Sequence, residues 1–597
     1  MVDAITTITN PILTGMYPDP SWIWDAEHNR IAMVNSSFEL VPGLPIHVSD
    51  DLNRWIHISD AIDEDLARRL LIPFVEDSGG VYAPTLRRIN GKYVIVCTIA
   101  RIDEDAARRA GVSDADIAAA IGAEGNFAIV ADKLEGPWTG PYWIRGAEGI
   151  DPDIFEDIDG SVYWTQTRPA VHPQWEGQTE VWTQRIDTSS WTLVEDGAAA
   201  GNGKTVIWRG YGVEAVWAEG PHLYRIGDYV YLMTAEGGTS FEHSEMIMRV
   251  YAPNGLKDAI RAFERECTAG GTSIVGPRPN EHCVLDTYHR LFHANKKNPI
   301  LTHRHLGLAE QVQCVGHADL ICHPKYGWWV VTLGVRETKG SDPGELLSYL
   351  GREPFIAPLT WEHNPADWKL DGGNVPSIPK DDLGWPIVAP GLGRVPDRIA
   401  IAENNVSREV FPPAGMLRVD DNRLARVAIG VSVDSDAIGA RAVLDVASEA
   451  SATIRSECGA RYARVTSDDC VIPVPSCGTL IVRQNSTHYA TIRVTPMSAE
   501  KADIQKVTCD IVNADAVTSQ AYELLPSSSD GVAVMLHSNT LTLFAYDTTA
   551  GPETAADRAA NGDVGVIIDQ FDARFLSTEW AGGFVGCMAG IPQEGME

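Results

Sequence analysis

The sequence predicts an all-β protein, with a five-bladed β-propeller followed by a β-sandwich domain. A hairpin recurs five times, and each copy is a short apolar strand, a turn and an aromatic-rich strand. The copies are roughly 65 to 100 residues apart, a spacing and a hairpin unit typical of propellers, in which each blade is a small antiparallel sheet. They begin at Asp19, Ala83, Asp151, Glu219 and His317. These five first residues are expected to meet at the centre.

The second observation is a change in composition at a stretch rich in Pro and Gly, Gly384–Gly393. Such stretches commonly separate domains. Beyond it the chain is rich in Val, Ala, Ser and Thr, and short runs alternate between apolar and polar residues, which predicts a β-sandwich. We therefore expect the propeller over residues 1–394 and the sandwich over residues 395–597.

Residues 101–124 interrupt the strand pattern, because they are rich in Ala and in charged residues. This composition favours helix over strand. We expect one or two short helices inserted at the edge of a blade, where they would form part of the wall of the central pocket.

The composition excludes several classes of protein. The 597 residues carry a net charge of -33, whereas nucleic-acid binding requires a basic surface. No apolar run reaches the roughly 18 residues of a membrane-spanning helix. The first residues lack the basic and apolar regions of a secretory signal, so we expect a cytoplasmic location.

The cysteines do not form a recognisable metal or redox motif. None of the ten has Cys-x-x-Cys spacing, so neither a zinc ribbon nor a redox dithiol is predicted. Cys470 and Cys477 are close enough in sequence to pair, but a reduced, mostly buried set agrees better with the expected location.

Three of the five hairpin copies begin with a carboxylate, namely Asp19, Asp151 and Glu219. A single Asp at the start of a strand often only caps a turn, but three carboxylates at one blade position would converge. Hydrolysis of a glycosidic bond requires an acid that protonates the leaving oxygen and a carboxylate that activates water or attacks the anomeric carbon. A third carboxylate would raise the pKa of the acid, since like charges disfavour joint ionisation.

The segments around these residues resemble the motifs of glycoside hydrolase family 43. Asn10–Ser21, Ser36–Ile46 and Gly79–Thr85 are similar to its first three signatures. Gly149–Phe155 and Ala218–Tyr224 are similar to the segments that carry its other two carboxylates. Later segments resemble a subgroup of β-xylosidases and α-L-arabinofuranosidases. Members of this subgroup have an added C-terminal β-sandwich domain with a concanavalin-like fold.

The resemblance implies a five-bladed propeller and inversion at the anomeric carbon. It assigns Asp19 as the general base, Glu219 as the general acid, and Asp151 rather than Asp153 as the third carboxylate. Inversion requires the base and acid carboxyls to be about 6.5–9.5 Å apart, so that water fits between them.

The resemblance also implies further pocket residues. Phe38 and Tyr82 would contact a pentose ring, Tyr82 standing where relatives usually have Trp, although both residues are equally consistent with core packing. Arg352 would bind sugar hydroxyls, the alternative being a structural salt bridge. His317 would line the pocket floor, where some relatives hold a calcium ion or water, and a core histidine is the alternative. Trp580 would reach over the site from the sandwich.

The implied function is an inverting exo-glycosidase that removes terminal α-L-arabinofuranosyl residues from arabinoxylan or its oligosaccharides. A β-D-xylosidase or bifunctional enzyme stays open, and we favour arabinofuranose because Tyr82, the insertion and the C-terminal half depart from the xylosidase pattern. Two other classes also stay open, a propeller that only binds sugar and a retaining enzyme that acts on fructans. The resemblance implies that no cofactor is required, although it allows a calcium ion near His317. The expected partners are arabinoxylan-derived oligosaccharides and, in a homo-oligomer, further copies of the chain.

Overall fold

The computed structural model has predominantly β structure. It describes residues 5–195, 203–210, 217–269, 291–308, 310–340, 342, 344–363, 382–402, 408–411, 418–420, 423–425, 442–454, 460–496, 505–524, 531–561 and 566–592. Within these ranges, the helices are all too short or too polar to cross a membrane.

Five antiparallel sheets follow one another between Ser21 and Val388, and in each the main strands pair in chain order. Sheet 1 contains Ser21–Asp25, Arg30–Val34, Gly43–Ser49 and Ile56–Ile62. Sheet 2 contains Thr85–Ile89, Lys92–Thr98, Asn126–Ala131 and Thr139–Trp143. Sheet 3 contains Ile150–Glu156, Val162–Pro169, Thr179–Asp187, Thr192–Leu193 and Thr205–Trp208. Sheet 4 contains Glu219–Ile226, Tyr229–Glu236, Ser244–Tyr251, His293–Ala294 and Leu301–Thr302. Sheet 5 contains Val312–His323, Gly327–Arg336, Arg352–Trp361 and Pro386–Val388.

The first strands of these five sheets form a closed ring. The first strand of sheet 1 contacts the first strands of sheets 2 and 5. The first strand of sheet 3 contacts the first strands of sheets 2 and 4. The first strands of sheets 4 and 5 also contact each other, which closes the ring. Because the strands run through the ring in the same sense, the residues that begin the five hairpin copies lie together at one end of it.

Two larger sheets share a second apolar core in the C-terminal part of the chain. Sheet 6 contains Ala442–Val443, Asp469–Val474, Gly531–His537, Thr540–Tyr546 and Ile567–Asp572. Sheet 7 contains Ala516–Leu524, Gln505–Asn513, His488–Pro496, Thr479–Asn485, Met588–Pro592, Ala460–Arg464, Ala452–Ile454 and Leu40–Val41. Since Leu40–Val41 comes from the N-terminal part, sheet 7 joins the two parts of the chain directly.

Smaller pairings complete the strands. Ile5–Thr9 pairs with Arg398–Ala402, which also pairs with Arg408–Phe411. The two-stranded sheets are Thr338–Lys339 with Leu346–Leu347 and Arg418–Asp420 with Arg423–Ala425. Cys470 and Cys477, both within the described ranges, are free thiols.

The helices are short and lie between strands. The α-helices are Glu64–Arg69, Glu104–Arg109, Asp114–Ile121, Leu256–Ala269, Val446–Glu449, Pro552–Ala560 and Thr578–Ala581, and the 3₁₀ helices are Ile72–Phe74 and Arg574–Leu576. Two of them confirm the helices expected at residues 101–124, and the side chains of Asp103 and Ser113 cap their first turns. Their apolar residues pack on Leu71 and Phe74 instead of lining the cavity. The expectation that this insertion walls the pocket was therefore wrong.

A buried ionic network at the centre of the ring ties all five sheets together. The Arg87 guanidinium of sheet 2 lies 2.9 Å from the Asp319 carboxylate of sheet 5 and 3.2 Å from the Asp153 carboxylate of sheet 3. Asp319 also accepts hydrogen bonds from the hydroxyls of Ser21 in sheet 1, at 2.8 Å, and Tyr224 in sheet 4, at 2.5 Å. Burial raises the pKa of Asp319, but Arg87 and its other partners outweigh burial and lower it to about 2.

We expect Arg87→Met to destabilise the fold strongly, because it leaves two fully buried carboxylates without a cation. Breaking a buried ion pair by removing one partner typically costs about 3–5 kcal/mol. Urea unfolding of the variant beside wild type measures this cost. The matched control is Arg88→Met, since Arg88 pairs with Glu27 at the surface and exposed pairs contribute only about 0–1 kcal/mol. Equal effects of the two substitutions would contradict the importance of the central network.

Candidate active site

A cavity of about 300 Å³ opens at the end of the ring where the hairpin copies begin. It is lined by all five of the residues that begin the copies. Seven of the eight predicted site residues line it, namely Asp19, Phe38, Tyr82, Asp151, Glu219, His317 and Arg352. The structure thus brings the three carboxylates together.

The strands enter the ring with an irregular backbone that turns these side chains into the cavity. Asp19, Asp151 and His317 have φ values of 49°, 56° and 51°, in the left-handed region, and Gly220 has a φ of 55°. The pairing register also shifts around Asp151, between Ile150 and Asp153, and directly after Glu219. A left-handed backbone costs roughly 1–3 kcal/mol at a residue other than Gly and persists where function requires it. Its recurrence at one position in several sheets therefore marks this end of the ring as the functional end.

Asp19 lies among groups that favour its charged form. Arg352 Nη1 donates to Asp19 Oδ1 at 3.0 Å, the Ser36 hydroxyl donates to Oδ2, and His317 Nδ1 lies 3.8 Å from Oδ1. Burial raises the pKa of Asp19, but the charge of Arg352 foremost, together with the hydrogen bond from Ser36, holds it below its ordinary value. Asp19 is consequently an ionised carboxylate at neutral pH.

Asp151 and Glu219 have the opposite environment. Burial raises the pKa of Asp151, and the negative charge of Asp19 raises it further. Burial also raises the pKa of Glu219 well above its ordinary value, with contributions from Asp151 and then Asp19. The Gly220 N–H donates to Asp151 Oδ2 at 3.2 Å, which links the third carboxylate to the residue after Glu219. The cavity thus combines one carboxyl whose pKa is lowered with two carboxyls whose pKa values are raised.

His317 packs between the cavity floor and the strand that carries Glu219. A Cβ atom at Gly220 would lie 2.9 Å from His317 Nε2, so the imidazole is in close contact with that backbone. Burial lowers the pKa of His317 to about 4, against the effect of Asp19. The ring is therefore neutral and acts as a spacer between Asp19 and the strand of Glu219.

The residues around His317 do not fit a calcium ion, which requires six to eight oxygen ligands. Three of the carboxylates near His317 are already paired with arginines, since Asp19 bonds to Arg352 and both Asp153 and Asp319 bond to Arg87. Among the described residues, no group of three or more His, Cys, Asp or Glu side chains is arranged to hold a metal ion.

Three aromatic rings form one wall of the cavity. The Phe38 and Tyr82 ring centroids are 5.4 Å apart, and each lies 6.1 Å from that of Phe584. The Arg352 guanidinium lies 5.6 Å from the Phe38 centroid and 5.5 Å from the Phe584 centroid, so it connects this wall to Asp19. The Tyr82 hydroxyl donates to the Ser78 carbonyl at 2.8 Å. The wall is thus apolar towards the cavity.

Trp580 does not line the cavity, which corrects the expectation for this residue. Its side chain is half exposed, and the Arg574 guanidinium lies 4.7 Å from its ring centroid. Phe584 is the residue that reaches the site from the C-terminal part. Glu579 is anchored on Ser348 before the chain turns inward at two glycines with positive φ. In the sequence, the feature that could have identified Phe584 is this Gly-Gly pair, which directly precedes it.

The sequence reasoning also missed four residues of the cavity lining, one of which is Ile150, next to Asp151. Trp217, Gly238 and Thr239 line it on the side of Glu219. Trp217 was detectable as an aromatic residue two positions before the candidate acid, while Gly238 and Thr239 carry no distinctive signal in the sequence.

Comparisons with known proteins agree with this site. Residues 8–257 match the profile of glycosyl hydrolases family 43. A xylosidase/arabinosidase from Butyrivibrio fibrisolvens is 27% identical over 98% of this chain and 95% of its own length. A non-reducing end α-L-arabinofuranosidase from Bacteroides ovatus is 31% identical over 60% of this chain and 52% of its own length.

The fold has relatives among solved structures. A GH43_12 protein retrieved from a capybara gut metagenome superposes with a TM-score of 0.64 at 20% sequence identity, covering 99% of this chain and 95% of that one. The profile match covers Asp19, Asp151 and Glu219, the three carboxylates that meet in the cavity. Residues 8–257, which carry these three carboxylates, therefore match family 43 of the glycosyl hydrolases.

Proposed function

We propose that the chain is an inverting exo-glycosidase that removes terminal α-L-arabinofuranosyl residues from arabinoxylan or its oligosaccharides. The observation that carries this proposal is the meeting of Asp19, Asp151 and Glu219 in one cavity, where the pKa of Asp19 is lowered and that of Glu219 is raised well above its ordinary value. One ionised carboxylate and one protonated carboxyl are the two groups that glycoside hydrolysis requires. In this proposal sheets 1 to 5 are the blades of a five-bladed propeller over residues 1–394. Sheets 6 and 7, apart from the strand Leu40–Val41, form a sandwich within residues 395–597.

The reaction follows from the roles of the three carboxylates. Asp19 removes a proton from a water molecule, which attacks the anomeric carbon, and Glu219 gives its proton to the departing oxygen. Burial raises the pKa of Glu219, and the neighbouring Asp151 and Asp19 raise it further, which favours the protonated form that an acid needs. Arg352 holds Asp19 in its basic, ionised form.

The shape of the cavity supports action at a chain end. Its volume of about 300 Å³ is near the lower limit of small-molecule sites, which range over about 300–1,000 Å³. Phe584 closes one side of the cavity from the C-terminal part of the chain. A terminal sugar therefore fits better than an internal unit of a polymer.

The choice of sugar is supported by the wall and by one relative. The expectation that Tyr82 departs from the β-xylosidase pattern favours arabinofuranose, and the Bacteroides ovatus relative is named a non-reducing end α-L-arabinofuranosidase. The name of the Butyrivibrio relative, xylosidase/arabinosidase, keeps a β-xylosidase or bifunctional enzyme as the second candidate. A protein that only binds sugar would not need a base and an acid of opposite protonation.

Proton NMR during hydrolysis of 4-nitrophenyl α-L-arabinofuranoside and 4-nitrophenyl β-D-xylopyranoside tests this function. We expect faster hydrolysis of the arabinofuranoside and an inverted anomer as the first product. Faster hydrolysis of the xyloside would select the second candidate. A first product with retained configuration would contradict inversion, and no hydrolysis of either compound would contradict the glycosidase function.

We expect Arg352→Met to move the acidic limb of the pH profile of kcat/KM to higher pH. Arg352 lowers the pKa of Asp19, which must be ionised to act as the base. Without the cation the pKa of Asp19 rises. The variant therefore loses activity at a higher pH than wild type when the solution is acidified. An opposite charge at this distance typically shifts a pKa by about 1–3 units. Arg88→Met is the control, because Arg88 lies at the opposite end of the ring. An unmoved acidic limb would mean that Arg352 does not set the pKa of the base.

A further inference from the structure

An exposed tryptophan stands at the edge of the active-site cavity. Trp217 lines the cavity, yet 47% of its surface is exposed. Among the residues that the structure describes, five other tryptophans are fully buried, namely Trp22, Trp164, Trp182, Trp208 and Trp329. An exposed aromatic surface beside a functional cavity commonly marks a contact with a ligand.

The position of the Trp217 indole is fixed by the backbone of Gly238. A Cβ atom at residue 238 would lie 2.6 Å from indole Cε3 and 2.9 Å from Cζ3, so the six-membered ring rests against the glycine. Any side chain at residue 238 would displace the indole. Trp217 itself has a φ of 50°, in the left-handed region, which an L-residue adopts only where the surroundings stabilise it.

The location of Trp217 relative to Glu219 indicates which part of a substrate it meets. Glu219 must face the oxygen that leaves, so the leaving sugar lies on the Glu219 side of the cavity. Trp217 precedes Glu219 by two residues and stands at the mouth. The aromatic wall of Phe38, Tyr82 and Phe584 contacts Arg352, the partner of Asp19. The two aromatic surfaces therefore contact different sugars. The wall contacts the pentose that is released, and Trp217 contacts the sugar to which that pentose was linked.

We propose that the Trp217 indole, supported by Gly238, is the platform on which the leaving sugar of an oligosaccharide stacks. This inference rests on the proposed glycosidase function and adds the binding site for the sugar after the cleaved bond. The ligand class is a pyranose unit, such as the xylose of an arabinoxylan backbone, whose C–H face packs on an aromatic ring. Because stacking requires a flat surface in a fixed place, the glycine beneath the indole is part of the site.

The test compares two substrates that carry the same terminal pentose. An arabinofuranosyl xylotriose has a sugar on the leaving side, whereas methyl α-L-arabinofuranoside has only a methyl group there. We expect Trp217→Ala to lower kcat/KM for the oligosaccharide about tenfold, equivalent to ~1.4 kcal/mol, mainly through KM, with little change for the methyl glycoside. Trp217→Phe should restore most of the loss. Gly238→Ala should behave like Trp217→Ala, because the added Cβ moves the indole.

Trp580→Ala is the matched control, since Trp580 has similar exposure but lies outside the cavity, and it should leave both substrates unaffected. Equal losses of Trp217→Ala on the two substrates would overturn the platform, because they would indicate a structural role only. Unchanged rates on both would also overturn it. If wild type releases xylose instead, xylobiose and methyl β-D-xylopyranoside form the substrate pair. A wild type inactive on all four compounds would overturn the proposed function itself, and the platform with it.

Discussion

The pairing of Arg87 with two buried carboxylates is the interaction on which the rest of the structure depends. Asp153 and Asp319 are fully buried, and without the guanidinium their charges would carry a large desolvation cost. Through their hydrogen bonds the network reaches the first strand of all five sheets. It lies directly below the residues that line the cavity, so it fixes the strands at the level where Asp151, Glu219 and their neighbours leave regular pairing.

Above this network the cavity contains three carboxylates that are not equivalent. Arg352 lies beside Asp19 and favours its ionised form, whereas burial dominates at Asp151 and Glu219 and favours their neutral forms. The negative charge of Asp19 then reinforces the difference, because it disfavours ionisation of the other two. The position of Arg352 beside Asp19 therefore makes the pKa of the base lower than the pKa of the acid.

The sequence was sufficient for the three carboxylates, because each opens a repeated hairpin and lies in a motif of its own. It was not sufficient for residues whose position depends on packing across the chain. Trp580 and Phe584 are both aromatic residues beside a Gly-Gly pair, and only the anchoring of Glu579 on Ser348 decides which one turns inward. Arg87 was also missed, because a charged residue on an inner strand becomes meaningful only when its buried partners are known.

The protonation of Glu219 and Asp19 is the central claim, and infrared difference spectroscopy of the carboxyl groups at neutral pH tests it most directly. The spectrum of wild type is compared with those of Glu219→Gln and Asp19→Asn. We expect the band of a protonated carboxyl to decrease in Glu219→Gln and to persist in Asp19→Asn, where an ionised carboxylate band is lost instead. A protonated band that disappears in Asp19→Asn and is unchanged in Glu219→Gln would contradict the account.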